Sequence, residues 1–197
     1  MSAPTSYPLS DIETLRKRAR ERIEEGAVTA SYGLERTLAN KLLNEALATE
    51  LVCVLRYRRH YFMASGMHAE SVKAEFLAHA QEEQGHADEI AARIIQLGGE
   101  PNFNPEGMAL RSHAQYVEGQ DLVDMIKENL VAERIAIDSY REMVGFFGGG
   151  DPTTRTLLER ILTVEEEHAE DMSSLLEELS GGKRTSELPE TVKKERT

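Results

Sequence analysis

The sequence contains one cysteine, no tryptophan, six prolines and only 6% aromatic residues in 197 positions. A single cysteine excludes an intramolecular disulfide and a cysteine-rich structural metal site, and it fits a reducing compartment. Scarce proline and aromatics, with abundant Ala, Glu, Leu and Arg, favour helix over sheet. No apolar run approaches the roughly 18 residues that span a bilayer. The opening MSAPTSYPLS lacks the basic-then-apolar pattern of a signal peptide. A soluble cytoplasmic protein with no membrane partner is therefore expected. Basic residues are also short: 23 Lys and Arg stand against 35 Asp and Glu, a formal net charge of -12. Binding to a phosphate backbone needs the opposite balance, so DNA binding is not expected at physiological salt. An acidic surface suits solubility and the attraction of metal cations. With 40% hydrophobic and 29% charged residues, the chain has enough apolar mass for one full core.

Breaks in the hydrophobic pattern divide the chain into helices. Ser10 and Glu13 read as a capping box opening a helix over 11–26, closed by Gly26. Its apolar residues Ile12, Leu15, Ala19 and Ile23 form a thin stripe, as on a surface or subunit-contact helix. Four long helices are predicted over 35–64, 69–97, 121–147 and 152–179. Gly98-Gly99 stops the second, Gly148-Gly149-Gly150 stops the third, and Asp151 caps the fourth with Pro152 at its first position. The stretch EPNFNPEGMALRSHAQYVEG between helices two and three is long for a connection in a compact domain. Short, long and short connections predict an all-α four-helix bundle with one crossover between helices two and three. The expected organisation is an N-terminal extension with a surface helix over 1–34, the bundle over 35–180, and a flexible polar tail over 181–197.

Within these helices, four acids fall on apolar stripes. Glu50 is in line with Leu43, Leu47, Val54 and Tyr57, and Glu133 with Ile126, Leu130, Ile137 and Tyr140. Glu83 lies seven residues from Phe76 and Ile90, with His86 on the same face. Glu165 and His168 fall among Leu157, Ile161, Val164, Met172 and Leu175. In so acidic a chain a lone Glu-x-x-His pair arises by chance, and a lone inward His is usually a hydrogen-bonded core residue. All six together carry more weight. An inward carboxylate needs a compensating cation, and Lys127, Arg134 and Arg93 lie off the stripes, which leaves a bound metal. Glu50 precedes Glu83 by 33 residues, and Glu133 precedes Glu165 by 32. ELVCVLRY is echoed by ERIAIDSY, and EEQGHAD by EEEHAED, so the chain reads as two similar hairpins. Their four carboxylates and two imidazoles converge on a pseudo-twofold centre. Four negative charges balance two divalent cations, and this donor set suits Fe or Mn.

On ATELVCVLRY, EEQGHAD, LVAERIAIDSY and VEEEHAED, the chain from about residue 38 to 179 resembles the bacterioferritin branch of the ferritin-like superfamily. The resemblance implies terminal ligands Glu50 and Glu133, bridging ligands Glu83 and Glu165, one imidazole per metal from His86 and His168, and Tyr57 beside the dinuclear site. It implies a ferroxidase that oxidises Fe(II) with O2 or H2O2 and mineralises Fe(III) in a hollow homo-oligomeric shell. In that branch a methionine after the bridging Glu of helix two ligates haem. Gln84 stands there, so no haem is expected. The Cys-x-x-Cys iron site of rubrerythrins cannot form with one cysteine, and no apolar fifth helix is seen after the bundle. A 12-subunit, Dps-like shell is therefore preferred to one of 24.

Two other functions fit parts of the pattern. A manganese catalase or di-iron peroxidase would use the same ligands, and a DNA-protecting Dps-like shell would use the basic N-terminal helix, with its run RKRARER, and the KKER tail. That run reads better as a solvated helix face. Cys53 reads as a buried small hydrophobe. His79 reads either as a surface histidine or as a guide for iron, while His60, His68 and His113 match no ligand pattern.

Overall fold

The computed structural model describes residues 9–179. The expected tail over 181–197, and the question of a fifth helix there, lie outside the described residues. Helix α1 covers Ile12–Arg18, followed by a 3-10 turn over Ile23–Glu25. The long helices are α2 (Arg36–Met63), α3 (Ala69–Gln96), α5 (Leu122–Phe147) and α6 (Pro152–Leu179), and a one-turn helix α4 (Met108–Arg111) lies in the crossover. No strand occurs among the described residues.

Three of the long helices, α2, α5 and α6, start where a carboxylate accepts from their first N–H groups; α3 has no side-chain cap. The Glu35 carboxylate accepts from the amides of Thr37 and Leu38 at 2.8 and 2.6 Å, and Asp121 from that of Asp124 at 2.9 Å. Asp151 caps α6, accepting from the Thr154 amide at 2.9 Å, and Pro152 follows where no N–H is needed. At the end of α3, Gly98 takes φ +72°, so the amides of Gly98 and Gly99 reach the carbonyls of Ile95 and Ile94, each at 2.9 Å.

The N-terminal segment departs from the sequence reading. Asp11, not Ser10, caps α1, accepting from the Thr14 amide at 2.8 Å. The helix ends at Arg18 rather than running to Gly26, and Arg22 turns through φ +52°. No residue of α1 is buried. A short helix without a packed face lacks the tertiary contacts that sustain most helices in water. The crossover also differs, because α4 was not expected there.

Short connections make α2–α3 and α5–α6 antiparallel hairpins, which pack along their lengths. Inward positions recur at three- and four-residue steps, as in α6 with Thr154, Leu158, Ile161, Glu165, His168 and Met172. The apolar core forms two main clusters. One contains Leu43, Leu47, Ile90, Ile94, Tyr140, Phe147, Leu158 and Ile161; the other contains Tyr57, Val72, Phe76, Ile126 and Met172. Along every long helix, the inward Glu lies between residues of one cluster and residues of the other. The acids thus occupy the layer where the clusters meet.

Buried polar residues tie the remaining segments to this frame. Arg56 is fully buried and donates to Asn129 Oδ1 at 2.9 Å and to the Gln115 carbonyl at 3.0 Å. His60 contacts Asn129 Oδ1 and the carbonyls of Val117 and Glu118 at 3.1–3.2 Å. These bonds fix the end of the crossover against α2 and α5. At the opposite end, buried Asp151 accepts from Arg93 at 2.8 Å and from the Tyr32 hydroxyl at 2.9 Å, joining the N-terminal segment, α3 and α6.

Burial opposes ionisation of Asp151, but hydrogen bonds from Thr154, Arg93 and Tyr32 outweigh it and hold the carboxyl below its ordinary 3.8. Asp151→Ala removes the cap and leaves Arg93 without its carboxylate, with only the neutral Thr154 and Gln96 side chains to donate to. The expected loss is about 3 kcal/mol, a fall in thermal midpoint of roughly 5–10 °C for a chain of this size. The depressed pKa means the ionised Asp151 stabilises the protein at neutral pH, and that contribution is lost as pH falls through the folded value. Thermal melts should therefore show parent and variant converging only below pH 3.8.

Candidate metal centre

The structure brings all six predicted metal-site residues into one buried layer. Glu50 comes from α2, Glu83 and His86 from α3, Glu133 from α5, and Glu165 and His168 from α6; each is buried. Their donor atoms form two overlapping groups. One contains Glu50, Glu83, His86 and Glu165, and the other Glu83, Glu133, Glu165 and His168, with the atoms of each group within 4.8 Å of one another. Glu83 and Glu165 belong to both, as groups shared between two neighbouring positions would. His86 Nδ1 lies 3.0 Å from Glu165, 3.3 Å from Glu50 and 3.6 Å from Glu83. His168 Nδ1 lies 3.6 Å from Glu83, 3.9 Å from Glu165 and 4.0 Å from Glu133.

Two tyrosines extend the pseudo-twofold arrangement across the hairpins. Tyr57 of α2 donates to Glu133 of α5, and Tyr140 of α5 donates to Glu50 of α2. Each bond fixes one oxygen of a carboxylate and leaves the other facing the centre. Tyr57 therefore lies against this layer of six residues, and Tyr140 is its counterpart. Burial, then the neighbouring Glu133 or Glu50 charge, holds both phenols far above their ordinary pKa.

Eight buried donor atoms from these six residues have no hydrogen-bond partner: one oxygen each of Glu50 and Glu133, both oxygens of Glu83 and Glu165, and Nδ1 of His86 and His168. Buried polar groups ordinarily find partners, so this concentration points to a ligand that accepts many donor atoms at once. The donor set, four carboxylates and two imidazoles, fits a pair of oxygen- and nitrogen-preferring divalent ions. The side chains alone balance this charge with protons. Burial and the Glu83 charge push Glu50 and Glu165 well above the usual carboxylate range. Burial alone would lower the histidines, yet the surrounding carboxylates draw His86 up to about 12 and His168 up to about 9. A cation entering the layer would displace those protons.

Several neighbours were missed or misread in the sequence. Arg56, which the sequence reading passed over, is a buried cation in the bundle. Among the described residues it makes no ion pair with the four acids; it donates to Asn129 and Gln115 instead. Its sequence signal was the inward run Cys53, Arg56, His60, opposite the polar Asn129. Cys53 is buried, as expected. His79 is 2% exposed, not a surface residue. Its ring stacks on His168 with centroids 3.9 Å apart, and Nδ1 lies 3.2 Å from the Tyr57 hydroxyl. Glu82 lies 2.7 Å from His168 Nε2. This contact directs Nδ1 towards the carboxylates, as outer hydrogen bonds do for metal-binding histidines. Gln84 is exposed and donates to Asp88 at 3.0 Å. His113 meets Ser139 at 2.7 Å.

No helix among the described residues is long and apolar enough to cross a membrane. The model of the ferritin-like domain matches residues 40–181. A bacterioferritin of Mycobacterium bovis is 32% identical over 138 residues, covering 70% of this chain and 82% of that protein. Among solved structures, a dodecameric thioferritin described as the bacterioferritin-related protein of Bacteroides fragilis superposes with a TM-score of 0.73 at 33% identity. The match covers 75% of this chain and 89% of that one. The bacterioferritin of Desulfovibrio desulfuricans, determined with its diiron site in different catalytic states, superposes with a TM-score of 0.65 at 25% identity. It covers 74% of this chain and 81% of the other. The extent of the domain match, the identity to bacterioferritin and the shared bundle together place this chain in the ferritin-like family.

Proposed function

We propose that this protein is a ferroxidase that oxidises Fe(II) at the six-residue centre and stores the Fe(III) in a homo-oligomeric shell. The carrying observation is the set of eight unpartnered donor atoms buried in one layer. Relatives named bacterioferritin, one of them with a diiron site, support iron as the substrate.

Under this reading Glu50 and His86 hold one Fe(II), Glu133 and His168 hold the other, and Glu83 and Glu165 serve both. Bound side by side, two Fe(II) supply one electron each, so O2 or H2O2 is reduced by two electrons without releasing a radical. The carboxylates make this favourable because hard anionic oxygens stabilise the more highly charged ion. Burial keeps bulk water away and strengthens that electrostatic preference. Tyr57 and Tyr140 hold the terminal carboxylates in place, and Glu82 orients His168. Manganese would find the same donors. Metal content of the purified protein and O2 evolution from peroxide separate a catalase from a ferroxidase.

Anaerobic loading with Fe(II), followed by O2 or H2O2 in separate runs, should give a fast absorbance phase corresponding to two Fe(II) per subunit. Glu50→Ala and His168→Ala should each slow that phase by roughly 100-fold; a fast phase that survives both changes would overturn the assignment. Tyr57→Phe removes the hydrogen bond to Glu133 while keeping the ring. It should leave two Fe(II) bound per subunit but slow their oxidation about 10-fold. The shell is proposed to hold 12 subunits, the number in the thioferritin described above. At 22.1 kDa per chain, native mass spectrometry should give about 265 kDa before iron loading, whereas 24 subunits would give about 530 kDa.

A further inference from the structure

The pseudo-twofold symmetry of the two hairpins fails on one side of the centre. Matching Glu83 to Glu165 pairs His79 with Ile161, Glu82 with Val164, and Glu75 with Leu157. The first hairpin therefore carries three polar residues where the second carries aliphatic ones. The acids beyond the histidines differ as well. Glu89, three residues after His86, is neutralised by a two-pronged pair with Arg160. Its counterpart Asp171, three residues after His168, faces no arginine, because the position matching Arg160 is Ala78. Among the described residues, the ion-pair contacts of Glu75 and Asp171 are with His79 alone, at 3.9 and 3.4 Å from its Nε2.

Geometry fixes what His79 presents to these acids. Tyr57 donates to Glu133, and His79 Nδ1 contacts the Tyr57 oxygen at 3.2 Å. The other ring nitrogen, Nε2, therefore faces the two carboxylates, with Asp171 at 3.4 Å. One imidazole nitrogen and two carboxylates converge there, a donor set that suits a divalent cation. The His79 side chain is 3% exposed and rigidly placed, while Glu75 and Asp171 are 46% and 55% exposed. The group has a buried nitrogen as its floor and two solvent-facing carboxylates as its rim, with donor atoms within 4.8 Å of one another.

We propose that Glu75, His79 and Asp171 form a third divalent-cation site in each subunit, where a first-row transition ion from solvent is held before it reaches the dinuclear centre. One imidazole and two carboxylates suit Fe(II), Co(II) or Zn(II), with water completing the coordination. The path inward is short. Glu82 has a donor atom within 4.8 Å of those of both His79 and His168, and the two rings are stacked. No comparable path leads past His86, where Ile161 and Val164 stand at the matching positions.

Anaerobic Co(II) titration of the assembled protein, read by visible absorbance and by metal analysis after equilibrium dialysis, tests this site. The variants are Glu75→Gln with Asp171→Asn, which changes only exposed acids, and Glu50→Ala with Glu133→Ala, which strips the dinuclear centre. The acid double variant should bind one Co(II) fewer per subunit than the parent protein and keep the remaining two. The stripped variant should keep the one that the first variant loses. At limiting Fe(II), the acid double variant should also oxidise iron several-fold more slowly. Equal Co(II) binding by the parent and the acid double variant would overturn the proposal. A parent protein that binds a single Co(II), lost in the acid double variant, would keep this site and remove the dinuclear one.

Discussion

Four carboxylates share one water-poor layer in the middle of a four-helix bundle, and the rest of the structure is arranged around that constraint. Like charges at this separation repel, and burial strengthens the repulsion because the interior screens poorly. The side chains answer by holding protons: Glu50 and Glu165 resist ionisation, and the two histidines take up charge. Such a layer is tolerable only when clamped from outside. Leu47 and Ile90 close it on one side and Phe76 and Ile126 on the other, in separate apolar clusters. The tyrosines supply the hydrogen bonds that keep the terminal carboxylates from collapsing onto their neighbours.

Two repeated hairpins build the centre economically. Each contributes an acid on its first helix, a Glu-x-x-His on its second, and a tyrosine seven residues beyond the first acid that crosses to the other hairpin. The hydrogen bonds Tyr57–Glu133 and Tyr140–Glu50 are therefore reciprocal, and they couple the register of α2 to that of α5. Departures from this symmetry are the informative places. Arg160 neutralises Glu89 in one half, while His79, Glu75 and Asp171 stand open in the other. Arg56 is a second asymmetry, since its matching position in the other hairpin is Ser139. Its charge serves Asn129 and the crossover rather than the acids.

Much of the bundle was legible because long helices declare themselves through periodicity and punctuation. The four predicted spans agree with the observed ones to within about a residue, since Glu35, Gly98, Asp121 and Asp151 are strong local signals. The length of the N-terminal surface helix was overestimated because none of its residues is buried against the bundle, which local sequence does not reveal. The convergence of six donors could be inferred from repeat spacing alone, because an acid in an apolar stripe has only one direction to face. His79 could not be placed the same way. It shares the face of Glu83, but whether a histidine one turn away is covered depends on the neighbouring helix.

The sequence by itself determined the helices, their pairing into two equivalent hairpins and the inward direction of the acids, because helical periodicity and buried charge are local properties. Only the tertiary structure decided which oxygens remain without partners, that Tyr57 and Tyr140 cross between hairpins, that Arg56 is buried while Arg58 is exposed, and that His79 stacks on His168. These depend on the rotation and offset of one helix against another, a difference of a few ångströms that spacing along the chain does not encode.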